Sequence, residues 1–352
     1  MKKRICLITF SNNADHQNTV YSMFNALYPK YEVYSIGIKN PKTNIAPHTS
    51  NNFYINCPER PGIEKDTFNL KVLYEIKRII DKKNIDILYF ESQHIWNMFV
   101  MLMCPTKRKI VAVHDVVPHD GNKFMALSNF VTCHLANHVI LRNFMFKDTL
   151  VEKYRLNPKK ITCFELWRDY PSQTKLTNSH TFLYFGRIRK YKGFDLFSQI
   201  IEKTPNINYR VVGEADEASK YLVDYIKNFE NVSLVEREVT DTEMIEEFKN
   251  ADWVVLPYSN ATQSGVIVDA YRYSRPVISF DVGAIHEQIE NEKTGFLIQE
   301  TDVNAFASKI EEVNTFSKSQ LEEFSNAAYK FGYNKYSADF FSEAFLKILT
   351  NV

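Results

Sequence analysis

Short runs of β-branched and aromatic residues alternate, through most of the chain, with longer stretches of helical period. In the first half the runs are 4–10, 31–38, 85–91, 109–115, 138–143 and 161–166, with 52–57 a weaker one. In the second half they are 181–187, 207–214, 231–237, 251–258, 275–282 and 294–299. Helical period occupies intervening stretches such as 19–27, 68–83, 145–155 and 241–250. Uninterrupted apolar strands separated by helices predict parallel sheets covered on both faces. The rhythm breaks once, at the polar, proline-containing stretch 167–180. A break of that kind reads as a linker. The expected division is a domain at 1–166, a linker at 167–180, a second domain at 181–330 and a C-terminal helix at 331–352. That helix has the first domain as one candidate surface to pack on.

Length and composition agree with two doubly wound α/β domains. The 352 residues suit two domains of about 150 each, and 45% apolar against 24% charged residues is enough for two packed cores. The overall charge of +1 conceals a division: residues 1–170 carry +9 and residues 171–352 carry −8. Such a split points the first half toward an anionic partner, a lipid phosphate or membrane surface among them. Five scattered cysteines (Cys6, Cys57, Cys104, Cys133, Cys163) without a CxxC pair read as reduced, core-packing residues of a cytoplasmic protein. The apolar stretch behind the basic N-terminus ends after six residues at a polar turn, which is a first strand and not a signal peptide. Because no run approaches 18 apolar residues, membrane contact is expected only as a peripheral one at the inner face.

Ligands of open parallel sheets bind at the carboxyl ends of the strands, next to helix N-termini. Two segments stand there. After "TFLYF" the chain turns at Gly186 and places Arg187, Arg189, Lys190 and Lys192 within six residues, ending at Gly193. A guanidinium fork and a point-charge ammonium at a strand end suit a diphosphate; a solvated basic turn is the plainer alternative. After "ADWVVLPY" comes "SNATQSGVIVDA", a loop with hydroxyls and amides but no charge until Asp269. Ser264 is placed to cap a helix, and Gly265 leaves backbone N–H groups open to an anion. Ser259, Asn260, Thr262, Gln263 and Ser264 add neutral groups for hydroxyls, and Asp269 can accept two hydrogen bonds from a vicinal diol.

"FLYFGRIRKYKGFDLF" and "PYSNATQSGVIVDAYRYSRPVISFDVGAIHEQIENEKTGFLI" together resemble the C-terminal half of the retaining glycosyltransferases of family 4, over about residues 181–300. The resemblance implies the GT-B fold, two Rossmann-like domains facing across a cleft. It also implies a nucleotide-sugar donor in the C-terminal domain, an acceptor in the N-terminal domain, and no bound metal or other cofactor. Arg187 and Lys192 match the pair that holds the donor diphosphate, beside Gly186, Gln263, Ser264, Gly265 and Val266. Asp269 matches the second acid of the family's E-x7-E motif, which binds ribose, although it is one methylene shorter than Glu. The first acid falls on Ala261, which has no carboxylate. "VEREV" (235–239) aligns with the segment whose backbone holds the base, bringing in Arg237 and Val239. His114, at the end of strand 109–115, matches a histidine close to the transferred sugar; capping a strand-end turn is its plain alternative.

Asp115, His119 and Asp120 follow His114, the last two as acceptor-side candidates, and Asn12, Asn13 and His16 are candidates to line the cleft. The expected activity is retaining transfer of a sugar, from a UDP-sugar or GDP-mannose, to a glycan or lipid-linked acceptor in envelope, capsule or exopolysaccharide synthesis. A catalytically inactive partner subunit or sugar-binding module is the alternative that Ala261 motivates, and a nucleotide-sugar epimerase is a third. No nucleic-acid partner is expected. The spacing of Cys133, His134 and His138 resembles a metal set, but no acid lies nearby and His138 begins a strand. The helix at 71–83 reads as an ordinary surface helix ahead of a membrane-binding one. No GxGxxG follows any strand, so a dinucleotide site is not expected.

Overall fold

A computed structural model describes residues 3–11, 14–38, 50–56, 69–114, 116, 123–142, 144–164, 167–261 and 263–351. It divides into two compact units, Met1–Arg168 with Ala338–Val352, and Asp169–Ser337.

The first unit holds β1 (Arg4–Ile8), β2 (Glu32–Ile38), β3 (Asn52–Ile55), β4 (Ile87–Phe90), β5 (Arg108–Val113), β6 (His138–Leu141) and β7 (Ile161–Cys163) in one parallel sheet. Its order is β3-β2-β1-β4-β5-β6-β7, so β1 lies between β2 and β4, with Ile5 opposite both Val33 and Ile87. Its helices are α1 (Ala14–Leu27), α2 (Leu70–Lys82), α3 (Ile95–Met103), α4 (Lys123–Leu135) and α5 (Lys147–Tyr154). The second unit builds a six-stranded parallel sheet from β8 (Thr181–Phe185), β9 (Asn208–Val212), β10 (Val232–Val235), β11 (Trp253–Leu256), β12 (Val277–Phe280) and β13 (Gly295–Ile298). Its order, β10-β9-β8-β11-β12-β13, repeats the pattern of the first. Its helices are α6 (Phe194–Lys203), α7 (Lys220–Ile226), α8 (Asp241–Asn250), α9 (Gly265–Arg272), α10 (Val303–Asn314) and α11 (Lys318–Tyr336). A final helix, α12 (Ala338–Asn351), belongs to the first unit.

Alternation along each strand decides which face a side chain joins. On β1, Ile5 and Leu7 enter a core with Met23 and Phe24 of α1 and Phe341 and Phe345 of α12. Cys6 and Ile8 point the other way, among Leu73, Ile76 and Ile80 of α2 and Trp96 of α3. With both faces covered, every residue of β4, β6, β11 and β12 is buried, which is why those runs carry no polar alternation. The periodicity of α2 is that of a helix covering a sheet, started by the Asn69 side chain accepting from the Lys71 N–H. Burial of Phe341, Phe345 and Ile348 contributes roughly 1.5–3 kcal/mol each, enough to hold α12 against the first unit.

The strands are shorter than the apolar runs, mostly at their carboxyl ends: 181–187 becomes Thr181–Phe185, and 138–143 becomes His138–Leu141. The residues shed there leave the ladder and form the loops of the candidate sites. The stretch 167–180 is not solvated at its start, because Trp167 and Arg168 are buried. Trp167 stacks on Phe341 with ring centroids 3.6 Å apart. Cys6, Cys104 and Cys133 are buried and Cys163 is partly so, all four with free thiols; Cys57 lies outside the described residues. Among the described residues no helix is long and apolar enough to cross a membrane.

Candidate functional site

In the second sheet the direction of winding reverses between β8 and β11, and a doubly wound sheet opens a crevice at that point. Gly186 follows β8 with φ +114°, a conformation that favours glycine. Its Cα faces the first turn of α9, where an added Cβ would touch Val266 Cγ2 at 3.6 Å. From the other side Gly213 lies so close that a Cβ there would fall 1.9 Å from the Gly186 carbonyl oxygen.

A short 3-10 turn, Lys190–Lys192, then ends at Gly193 with φ +66°, where a Cβ would stand 1.6 Å from the Pro257 carbonyl oxygen. Only hydrogen fits. The basic turn is thereby pressed against the end of β11, and the Lys192 ammonium sits 4.1 Å from the centre of the Tyr258 ring. Of the four cations, Arg189 is engaged by Asp216 at 3.4 Å. Arg187 is exposed and Lys192 half-buried, and neither pairs with a carboxylate among the described residues. Those two are the ones matched to the diphosphate.

The loop after β11 is tied at several points. Ser259 donates to the Tyr191 carbonyl at 3.2 Å, and the Ala261 carbonyl accepts from the Ala284 N–H at 3.3 Å. Ser264 stands at the N-cap of α9, yet its hydroxyl makes no cap hydrogen bond; it lies 3.2 Å from the Tyr258 hydroxyl. The capping role expected for that side chain is therefore corrected: a buried tyrosine partner competes successfully for the hydroxyl. The backbone of Ser264 is held by Gln288, whose carbonyl accepts from the Ser264 N–H at 2.7 Å and whose amide donates to the Ser264 carbonyl at 3.2 Å. Gln288, fully buried, was not singled out in the sequence; an amide between Glu287 and Ile289 carries no local signal. The first-turn N–H groups of α9 lie beyond this clamp, without a side-chain cap from Ser264.

Gly265, Val266, Gln263 and Asp269 are all half-buried on this side of α9 or just before it. Arg237, just past the end of β10, is exposed and forms a two-pronged pair with Glu243, at 3.1 and 2.5 Å. Glu243 also completes the capping box of α8 with Thr240, and the Arg237 and Thr240 contacts hold its carboxyl at about 2. Val239 is half-buried two residues on. Arg237 is thus occupied by α8, while Gly186, Lys192, Ser264 and Val266 are brought together. Thr262 lies outside the described residues.

The first sheet reverses between β1 and β4. Thr9 and Ser92, one from each strand end, bond through their hydroxyls at 3.2 Å. His114, just past β5, directs Nε2 to the Glu91 carbonyl at 2.7 Å and to the Glu91 carboxylate at 3.1 Å. The His16 ring of α1 lies 4.3 Å from the His114 ring, centre to centre. Glu91 is wholly buried, and its other carboxylate oxygen takes the Arg142 guanidinium and the Tyr89 hydroxyl. Burial pushes the Glu91 carboxyl up, but Arg142, His114 and Tyr89 outweigh it and hold it at about 2. The guanidinium carbon of Arg142 stands 3.8 Å from the centre of the Trp167 ring. Neither Glu91 nor Arg142 was foreseen, since three separate strand ends, those of β4, β5 and β6, supply the cluster. Asn12, Asn13, Asp115, His119 and Asp120 lie outside the described residues. In the metal-like set, His134 pairs with the Phe130 carbonyl and His138 with the Thr162 hydroxyl.

Residues 179–315 match the family described as glycosyl transferases group 1. A capsular polysaccharide biosynthesis glycosyltransferase of Staphylococcus aureus, CapM, is 26% identical over 227 residues, 61% of this chain. That match spans about half of the relative, 53% of its length. Among solved structures, sucrose-phosphate synthase from Thermosynechococcus elongatus superposes with a TM-score of 0.75 at 13% identity, over 100% of both chains. The Anabaena protein HepE in complex with UDP and glucose does so at 0.72 and 12%, again over 100% of each. At such identities the likeness is one of fold. The chain has the GT-B fold, and its residues 179–315 are similar to the glycosyl transferases group 1.

Proposed function

We propose that the chain is a retaining glycosyltransferase that takes a sugar from a nucleoside diphosphate donor, a UDP-sugar first, and passes it to a glycan or lipid-linked acceptor in capsule or envelope polysaccharide synthesis. The observation that carries this reading is the meeting of Gly186, Lys192 and the first turn of α9 at one strand crossover. As the glycosidic bond breaks, negative charge gathers on the leaving diphosphate. Arg187, Lys192 and the N–H groups of Gly265 and Val266 oppose that charge, and they stabilise the transition state more than the ground state. In this reading they do the work a divalent ion does elsewhere, so transfer proceeds without a metal. Asp269 receives the ribose hydroxyls, and the backbone near Arg237 and Val239 borders the base. The HepE complex, whose ligand is UDP and glucose, and the capsular role named for CapM support the donor and the product class. His114, in the first unit, is assigned to the transferred sugar. The +9 charge of residues 1–170 favours an anionic acceptor and a site of action at the inner membrane face.

Ala261 supports a second reading, a binding module without turnover, because the position matched to the first motif acid has no carboxylate. Calorimetry with UDP, GDP and dTDP, followed by hydrolysis of the corresponding sugar nucleotides, separates the two. Diphosphate release from at least one donor is expected. Tight binding with no release from any donor selects the module, and no binding at all removes both readings.

A further inference from the structure

We propose that Glu91 is the positioning residue of His114: its carboxylate and its own carbonyl together hold the Nε2–H, so that the imidazole works through Nδ1. This deepens the function proposed above and rests on it. Nε2 lies 2.7 Å from the Glu91 carbonyl oxygen and 3.1 Å from carboxylate Oε1. A carbonyl can only accept a hydrogen bond, and so can an ionised carboxylate. The ring nitrogen between them therefore carries the proton. In neutral imidazole the lone pair then belongs to Nδ1, which accepts a hydrogen bond from a sugar or acceptor hydroxyl.

What keeps Glu91 ionised is also on its other side. The second carboxylate oxygen is bonded by the Arg142 guanidinium and the Tyr89 hydroxyl, and the Tyr89 oxygen accepts from Arg142 at 2.7 Å. Both charged side chains are essentially out of solvent, at 0% and 2% exposure. A buried carboxylate held by so many partners has one rotamer. An imidazole anchored to it has one orientation, a requirement when a misplaced group is costly in rate. An ion pair kept only for stability would have no need to reach a histidine at a strand end; an apolar pair would fill the space as well.

The first measurement is the tautomer. Imidazole nitrogen shifts in the full chain, with His114 assigned by comparison with His114→Gln, are expected to report protonated Nε2 and bare Nδ1 in the neutral form of the ring. The opposite neutral tautomer in the wild type, with Nδ1 protonated and Nε2 bare, overturns the proposal, whether or not the chain transfers sugar. The second is kinetic, on whichever of UDP-glucose, UDP-galactose, UDP-N-acetylglucosamine or GDP-mannose the wild type hydrolyses. Glu91→Gln leaves the buried Arg142 without the carboxylate charge it faces and can fail to fold, so it is combined with Arg142→Met. The double variant is expected to lose at least about tenfold in kcat with donor KM within twofold, the pattern of a lost acid–base or orienting group. It is also expected to show mixed tautomers at His114. A folded double variant with wild-type kcat overturns the proposal and leaves the cluster a purely structural one. Absence of diphosphate binding in the wild type would instead be a failure of the proposed function, since that site is built in the other unit.

Discussion

The two units use the same sheet order to opposite ends. At the β8/β11 crossover the candidate site is made of backbone. Gly193 and Gly213 let main chains approach to distances that no side chain tolerates, and neutral side chains tie down the loop that leads into α9. At the β1/β4 crossover, and at β5 and β6 beside it, the site is made of buried charge, with Glu91 and Arg142 neutralising one another beneath His114. A backbone cradle suits a diphosphate because N–H groups need no deprotonation or reorientation to meet an anion. A buried ion pair suits a group that must hold one tautomer. One unit offers helix-end dipoles at its crossover, and the other a side chain fixed by buried charge.

That contrast can be broken most forcefully at Arg142. Arg142→Met strands the Glu91 carboxylate and is expected to lower stability by about 3–5 kcal/mol in urea denaturation, with most of it recovered in the Glu91→Gln/Arg142→Met double variant. A pH series sharpens the point. The Glu91 carboxyl titrates at about 2 in the folded chain against 4.5 ordinarily, so its contribution is complete above pH 4.5 and fades as pH falls toward 2. The wild type should lose its advantage over the double variant progressively as pH falls from 4.5 toward 2. An advantage constant over that range would mean that Glu91 is not the group responsible. Gly193→Ala comes next, at about 3 kcal/mol, because the new Cβ meets the Pro257 carbonyl and φ is positive. It should also abolish diphosphate affinity by displacing Lys192, and calorimetry reports both. Arg187→Ala and Lys192→Ala are each expected to weaken nucleoside diphosphate binding by about 1.5–3 kcal/mol with little change in thermal stability. Unchanged affinity in both would dissolve the cradle. Ser264→Ala, the smallest, should cost about 1 kcal/mol through the loss of the Tyr258 contact, leaving diphosphate affinity intact because the hydroxyl does not cap α9.

The same contrast explains which parts could be read from the residues alone. Strand runs, their alternation with helices and the basic turn between Gly186 and Gly193 are local in sequence, and each survives into the structure with trimmed ends. Even the meeting of that turn with the loop before Gly265 followed from two strand ends being expected at one crevice. Glu91 was hidden because it closes an apolar run, "IDILYFE", where a terminal acid looks like the first residue of a solvated loop. Arg142 ends another run in the same way. Their pairing depends on β4, β5 and β6 lying side by side, information that resides in strand order and in no spacing along the chain. Gln288 escaped for a related reason, as its partner Ser264 is 24 positions away. Ser264 was read correctly in place and incorrectly in partner, since Tyr258 comes close only once β11 has ended.

The position of α12 has a further consequence, for the order in which the chain is made. Residues 338–351 supply Phe341 and Phe345 to the core of the first unit, and the whole of the second unit lies between them and the rest of that core. On a ribosome the second unit, continuous in sequence, can finish folding while the first still lacks a wall. Until then Trp167 has no Phe341 to stack on, and the layer over Arg142 stays unfinished. The crevice between Gly186 and α9 is therefore completed before the layer behind His114, and a nascent chain finishes its second unit before its first.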